Sequence, residues 1–191
     1  MRFLPLAAFA ASLSGCTATI PPVEVTRFHL GQGIAPASVV VMPLAGEDGS
    51  TIEFRTYAIA VSRELSRLGF AEGQNAPLVA EIGFNRATRE RLPQRSPVSI
   101  GIGGGSFGRG GGIGIGTSFG VGKSRSRDVV ITRLDVRMKR KNDGQTVWEG
   151  RAETEAPENA PAAQPGLAAE KLARALFASF PGESGKTVSI P

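Results

Sequence analysis

Residues 129–153 read Val-Val-Ile-Thr-Arg-Leu-Asp-Val-Arg-Met-Lys-Arg-Lys-Asn-Asp-Gly-Gln-Thr-Val-Trp-Glu-Gly-Arg-Ala-Glu. The first half alternates with a period of two. Val130, Thr132, Leu134, Val136 and Met138 fall on one side, and Arg133, Asp135, Arg137 and Lys139 on the other. That is the pattern of a strand buried on one face and solvated on the other. Asn142-Asp143-Gly144 is a hairpin turn signal, and residues 145–153 read as the return strand. A lone hairpin is marginal in water, so its apolar face needs further strands and a covering layer.

The flanking sequence supplies both. Residues 23–30 read as a strand with Val23, Val25 and Phe28 as its apolar positions, ended by Gly31, Gly33 and Pro36. Residues 38–44 are a short β-branched run closed by Pro43, and residues 78–84 read as another strand. Between these two runs, Ser50 and Glu53 have the spacing of a capping box. Phe54, Ala58, Val61, Leu65 and Leu68 then form one helical stripe, and Gly69 is a natural stop, so a helix is predicted over 51–68. Near the other end, Pro165 suits a first helical turn. Ala168, Leu172, Ala175 or Leu176, and Phe180 give a second amphipathic helix, ended by Pro181-Gly182. Residues 188–190 are left as an edge strand or a frayed tail. The expectation is an α+β fold: a mixed or antiparallel sheet of about five to six strands, two helices on one face, in a single domain over 23–191.

Composition excludes several chemistries. Of 191 residues 41% are hydrophobic, enough for a core, and there is one Cys and one His. No intrachain disulfide can form and no Cys/His zinc cluster can assemble. Histidine-based catalysis, as in a periplasmic hydrolase, would have to use His29, and no G-x-S-x-G signature accompanies it. Gly103-Gly-Gly105-Ser-Phe-Gly108 fits G-x-G-x-x-G, but glycines continue to Gly112 and no helix starts there. Gly122-Lys123-Ser124 lacks the phosphate-loop glycine, since position 117 is Thr. No cofactor is expected.

The amino-terminal segment reads as an address. Met1-Arg2 precedes an apolar run over 3–13, too short to span a bilayer and of the length of a signal-peptide core. It ends in Leu13-Ser14-Gly15-Cys16, which resembles the bacterial lipobox. The resemblance implies a signal peptide over 1–15, cleavage between Gly15 and Cys16, and acyl chains on Cys16 that anchor the protein in a membrane. Residues 16–22 would form the tether. Thr17, where an Asp would imply inner-membrane retention, favours the outer membrane with the domain facing the periplasm.

Two segments carry an interaction reading. Twelve of the 22 residues over 101–122 are Gly, and Ile-Gly alternation appears twice. The segment is read as a loop or soluble hairpin. The alternative is an oligomeric membrane-inserting or secretion-accessory protein that uses a hairpin over 100–122. Arg133, Arg137, Lys139 and Lys141 are the candidate face for an anionic envelope partner, such as a phospholipid head group or lipopolysaccharide; the other reading is a solvated strand face. No aromatic residue lies between Phe119 and Trp148, which argues against nucleic acid.

Tyr57-Ala58-Ile59, the run Leu65-Ser66-Arg67-Leu68-Gly69-Phe70, the strand over 78–84, and Val147-Trp148-Glu149-Gly150 after the Asp143-Gly144 turn together carry a family resemblance. The chain resembles the Gram-negative lipoproteins grouped as domain of unknown function 4136 over about residues 23–180. A more distant likeness is to small α/β modules of envelope assembly and secretion lipoproteins. The resemblance implies a fold and an envelope location. The expected function is a non-enzymatic, lipid-anchored binding or structural module, its partner another envelope protein or an anionic lipid.

Overall fold

The period-two hairpin is the centre of the sheet. The computed structural model describes residues 21–90 and 128–191. In it β5 (Val129–Arg140) and β6 (Thr146–Pro157) pair antiparallel, from Val129 opposite Pro157 to Met138 opposite Trp148. β4 (Leu78–Arg89) runs antiparallel beside β5, and β1 (Val23–His29) antiparallel beside β6. β2 (Ser38–Pro43) lies parallel to β4. Two short strands close the edges: β3 (Ala71–Glu72) parallel to β2, and β7 (Thr187–Ile190) antiparallel to β1.

Among the described residues the sheet therefore has seven strands in the order β3-β2-β4-β5-β6-β1-β7, not the five to six expected. β3 is two residues long, too short to show any periodicity. The tail over 188–190, left open between strand and fraying, is held in place by its ladder to Val23 and Val25. The sheet is mixed.

One face carries the core. Val23 and Val25 of β1, Trp148 and Ala152 of β6, Leu134, Val136 and Met138 of β5, and Ala80 and Ile82 of β4 are buried there. Both helices, α1 (Ile52–Arg67) and α2 (Pro165–Phe177), pack on this face and against each other. Phe54, Tyr57, Val61 and Leu65 point inward from α1, and Leu172, Ala173 and Leu176 from α2.

Thr51, rather than Ser50, caps α1: its hydroxyl accepts from the Phe54 amide at 3.0 Å, while the Ser50 hydroxyl donates to Asp48. The helix stops where expected. Gly69 takes φ +89°, its amide donates to Ser66, and that of Phe70 donates to Leu65. This paired arrangement satisfies the last carbonyls of the helix.

Two positions differ from the sequence reading. α2 ends at Phe177, so Phe180 lies beyond the helix. There it joins an aromatic cluster, 5.2 Å from Trp148 and 6.0 Å from both Phe177 and Phe70. In β1 the inward position after Val23 and Val25 is Arg27, 4% exposed, while Phe28 is 49% exposed on the outer face. The strict alternation of the strand prevails over residue type because Arg27 finds hydrogen-bond acceptors inside.

The sheet has two distinct ends. The start of β1, the end of β4, the start of β5 and the end of β6 share one, as the pairs Val23 with Thr154, Arg89 with Val129 and Val129 with Pro157 show. The chain enters there: Thr154 donates to the Pro22 carbonyl at 2.9 Å, and the Lys171 ammonium donates to the carbonyl of Pro21. The β5–β6 turn, the end of β1 and the starts of β2 and β4 form the opposite end.

Candidate functional site

The outer face of the sheet bears the alternating charges. Arg133 pairs with Glu153 at 2.8 Å and Lys139 with Glu81 at 2.7 Å. Arg137 lies 3.7 Å from Glu149 and 3.9 Å from Glu81. Arg151 pairs with Asp135 at 2.9 Å, and Arg89 with Glu155 at 2.8 Å. The Asp135 carboxylate, by hydrogen bond and charge, raises the Arg151 pKa. Three of the four residues predicted as an anion-binding face, Arg133, Arg137 and Lys139, thus face carboxylates from neighbouring strands. Exposed pairs of this kind contribute little to stability, but they neutralise the face locally.

Lys141 belongs to a different place. It follows the last residue of β5, its amide donates to the Pro77 carbonyl at 2.8 Å, and it stands at the far end of the sheet. A cleft of about 600 Å³ opens there. Its apolar wall is Leu30, Ile34, Ala37, Leu78 and Val147; its polar rim is Gln32, Asn75, Arg140, Lys141 and Asn142. Volume and lining fall within the range of small-molecule sites. Arg140 is held by Asp143 at 3.0 Å and donates to the Gln145 side-chain carbonyl. The Asp143 carboxyl sits below its usual pKa, chiefly because it accepts from the Gln145 amide and also because of Arg140.

The cleft is assembled from three stretches remote in sequence: the loop after β1, the loop before β4, and the hairpin. Leu30 and Ile34, apolar residues spaced among Gly31, Gly33 and Pro36, are the only hint of it in the sequence.

His29 has a structural setting. Its Nδ1 accepts from the Gly31 amide at 3.1 Å, which leaves Nε2 to donate to the Gly182 carbonyl at 3.1 Å. Both ring nitrogens are thereby engaged by backbone, and among the described residues no nucleophile is positioned by either. Gly15 and Cys16, the signal segment over 1–15, the Gly-rich stretch over 101–122 and the hairpin alternative over 100–122 lie outside the described residues.

The strongest buried polar feature was not legible as a site. The Arg27 guanidinium donates from Nε to Leu176 O at 2.8 Å, and from Nη2 to Ala175 O at 2.8 Å and Ala178 O at 2.9 Å. A cation thus sits on the C-terminal carbonyls of α2, where the helix dipole favours it. Burial lowers its pKa. Tyr57, fully buried and stacked on Phe84 at 4.6 Å, carries a hydroxyl without a hydrogen-bond partner among the described residues. Burial, with Glu53 adding to it and Arg86 opposing, pushes its pKa up to about 12.

Among solved structures the chain is similar to PelC from Paraburkholderia phytofirmans, crystallised as a dodecamer. Identity is 11%, covering 85% of this chain and 99% of that one, at a TM-score of 0.50. A PelC variant from the same organism in another crystal form matches at 12% identity over 86% of this chain and 99% of that one, at 0.49. The first likeness concerns the fold alone. An uncharacterized protein of Zymomonas mobilis subsp. mobilis is 32% identical, over 98% of this chain and 86% of that relative. Residues 41–182 match the family described as Domain of unknown function (DUF4136), which takes in α1, the central hairpin and α2, and the chain belongs to that family.

Proposed function

We propose that this chain is a lipid-anchored lipoprotein of the Gram-negative envelope, tethered through Cys16 to the outer membrane and facing the periplasm. Its domain works as a binding or structural module rather than as an enzyme. The observation that carries the reading is the lipobox-like Leu13-Ser14-Gly15-Cys16, and the orientation follows from how short the leash after it would be. Pro21, whose carbonyl is held by Lys171, lies five positions after Cys16. Five residues reach roughly 18 Å at full extension. A domain on such a leash stays at the membrane surface, its chain-entry end toward lipid and its cleft away from it. The groups presented at the cleft are apolar side chains, amides and two cations, suited to holding a ligand.

The test is intact mass and membrane fractionation of the wild type and Cys16→Ala in a Gram-negative host. The reading requires acyl mass at Cys16, outer-membrane fractionation of the wild type, and an unprocessed or released variant. An unmodified Cys16 in a protein that leaves the membrane fraction contradicts it.

A further inference from the structure

We infer that the cleft at the hairpin end of the sheet binds a monomeric, single-chain anionic amphiphile: its acyl chain lies along the apolar wall and its head group meets Lys141 and Arg140. This deepens the binding-module reading and rests on it for the choice of site; the preference for a monomer also rests on the Cys16 anchor, whereas the binding itself does not.

Three features of the cleft point to this ligand. Its wall is apolar, and part of it stands in water: Leu30 is 56% exposed, while Leu78 is 7% exposed and Ile34, Ala37 and Val147 pack against the core. A chain laid on this wall gains burial on a surface already backed by the core. The charged groups of the lining are both cations, Arg140 and Lys141, and among the described residues the lining holds no carboxylate. On the outer face, by contrast, Arg133, Arg137, Lys139, Arg151 and Arg89 each face a carboxylate. Asp143 partly neutralises Arg140 and fixes its direction. Among the described residues the ammonium of Lys141 is thus left for an incoming anion, and its backbone is clamped to Pro77 in the lining. Asn75 and Asn142 add amide donors at the same rim.

Position favours a monomer over a bilayer lipid. β6 runs twelve residues between the chain-entry end and the hairpin end, roughly 40 Å of strand. The cleft is therefore remote from the point where the chain enters the fold.

The experiment is calorimetric titration of the full chain carrying Cys16→Ser, so that no attached acyl group competes. The probe is sodium laurate below its micelle concentration. Decanoate, dodecyltrimethylammonium and inorganic phosphate serve as comparisons. One laurate should bind per chain, with decanoate about tenfold weaker for the two missing methylenes. Dodecyltrimethylammonium should bind at least tenfold more weakly than laurate. Lys141→Glu, on an exposed residue with no side-chain partner among the described ones, should weaken laurate at least tenfold without shifting the unfolding midpoint. Leu30→Ser should weaken it several-fold by shortening the wall. The inference is overturned if laurate does not bind, if the cationic amphiphile binds as well, if phosphate alone matches laurate, or if Lys141→Glu changes nothing. None of these outcomes depends on whether Cys16 is acylated in the cell, which the mass measurement decides separately.

Discussion

Arg27 Nε lies 2.8 Å from the carbonyl oxygen of Leu176, joining the inner face of β1 to the last turn of α2 across 149 positions of sequence. With the two further bonds from Nη2 it closes the carbonyl end of the helix, a role usually filled by a local cap or by water. It also fixes the loop after α2. A Cβ on Gly182, which takes φ +83°, would lie 2.6 Å from Arg27 Cδ, so the chain passes against the guanidinium stem where only glycine fits.

Arg27→Met keeps the stem and removes the donors. It removes a donor from three helix-end carbonyls, of which Ala175 keeps the Ala178 amide, and should destabilise the fold by about 2–4 kcal/mol, read as a lower urea midpoint at unchanged slope. Arg27→Lys should recover only part of this, because an ammonium lacks the planar fork that reaches carbonyls on either side. Equal stability of Arg27→Met and the wild type would show that the buried cation is not needed.

Gly150 lies beneath the indole it follows by two positions. A Cβ there would come 2.5 Å from Trp148 Cη2 and 2.7 Å from Leu176 Cδ1. Leu176 can rotate away. Trp148 cannot, since its Nε1 donates to the Pro181 carbonyl at 3.0 Å and its ring stacks on Phe177 at 5.4 Å. Gly150→Ala should therefore cost about 1–3 kcal/mol and shift the fluorescence of this single Trp toward the red. An unaltered spectrum and midpoint would mean that the sheet and α2 separate more easily than the packing implies.

Tyr57 makes an alkaline prediction. Its phenol is raised from the ordinary 10.0 to about 12, so the folded state holds the proton more tightly than the unfolded state. That contribution is fully present below pH 10 and is lost as pH rises from 10 through about 12. The loss amounts to about 2–3 kcal/mol. In Tyr57→Phe this part of the pH dependence should vanish. At neutral pH the variant should be as stable as the wild type or slightly more so, because a buried hydroxyl without a partner among the described residues is removed. Urea midpoints of both proteins at pH 8 and above check it.

Much of this fold can be read from period alone. Residues 129–153 alternate strictly enough to place Leu134, Val136 and Met138 inward and Arg133, Arg137 and Lys139 outward, as found. The stripe of α1 from Phe54 to Leu65 and the stop at Gly69 were equally clear, because an amphipathic helix with a glycine end depends on local signals. β3 was not legible: two residues carry no period, and Ala71 pairs only because the turn at Gly69 delivers it to Ser38. Arg27 was hidden for another reason. Its alternation marks it as inward, its charge marks it as outward, and only the approach of α2 resolves the conflict. The cleft is a tertiary product. Leu30, Leu78 and Lys141 become neighbours through the order of strands, which local sequence does not specify. Of the anion-binding candidates, the strand positions Arg133, Arg137 and Lys139 face carboxylates from adjacent strands, partners that a single strand's sequence does not display.

Anchored through Cys16 as proposed, the domain would be held at a membrane by its chain-entry end with the cleft facing away. The most direct measurement uses acylated protein in vesicles, with one fluorophore placed on a new cysteine at Asn159, near the end of β6, or at Asn142 in the hairpin, and a nitroxide quencher carried on the lipid head groups. Both sites are exposed, and Cys16, once acylated, takes no label. Anchoring at the chain-entry end should give strong quenching at residue 159 and little at residue 142. Equal quenching at both, or stronger quenching at residue 142, would contradict it.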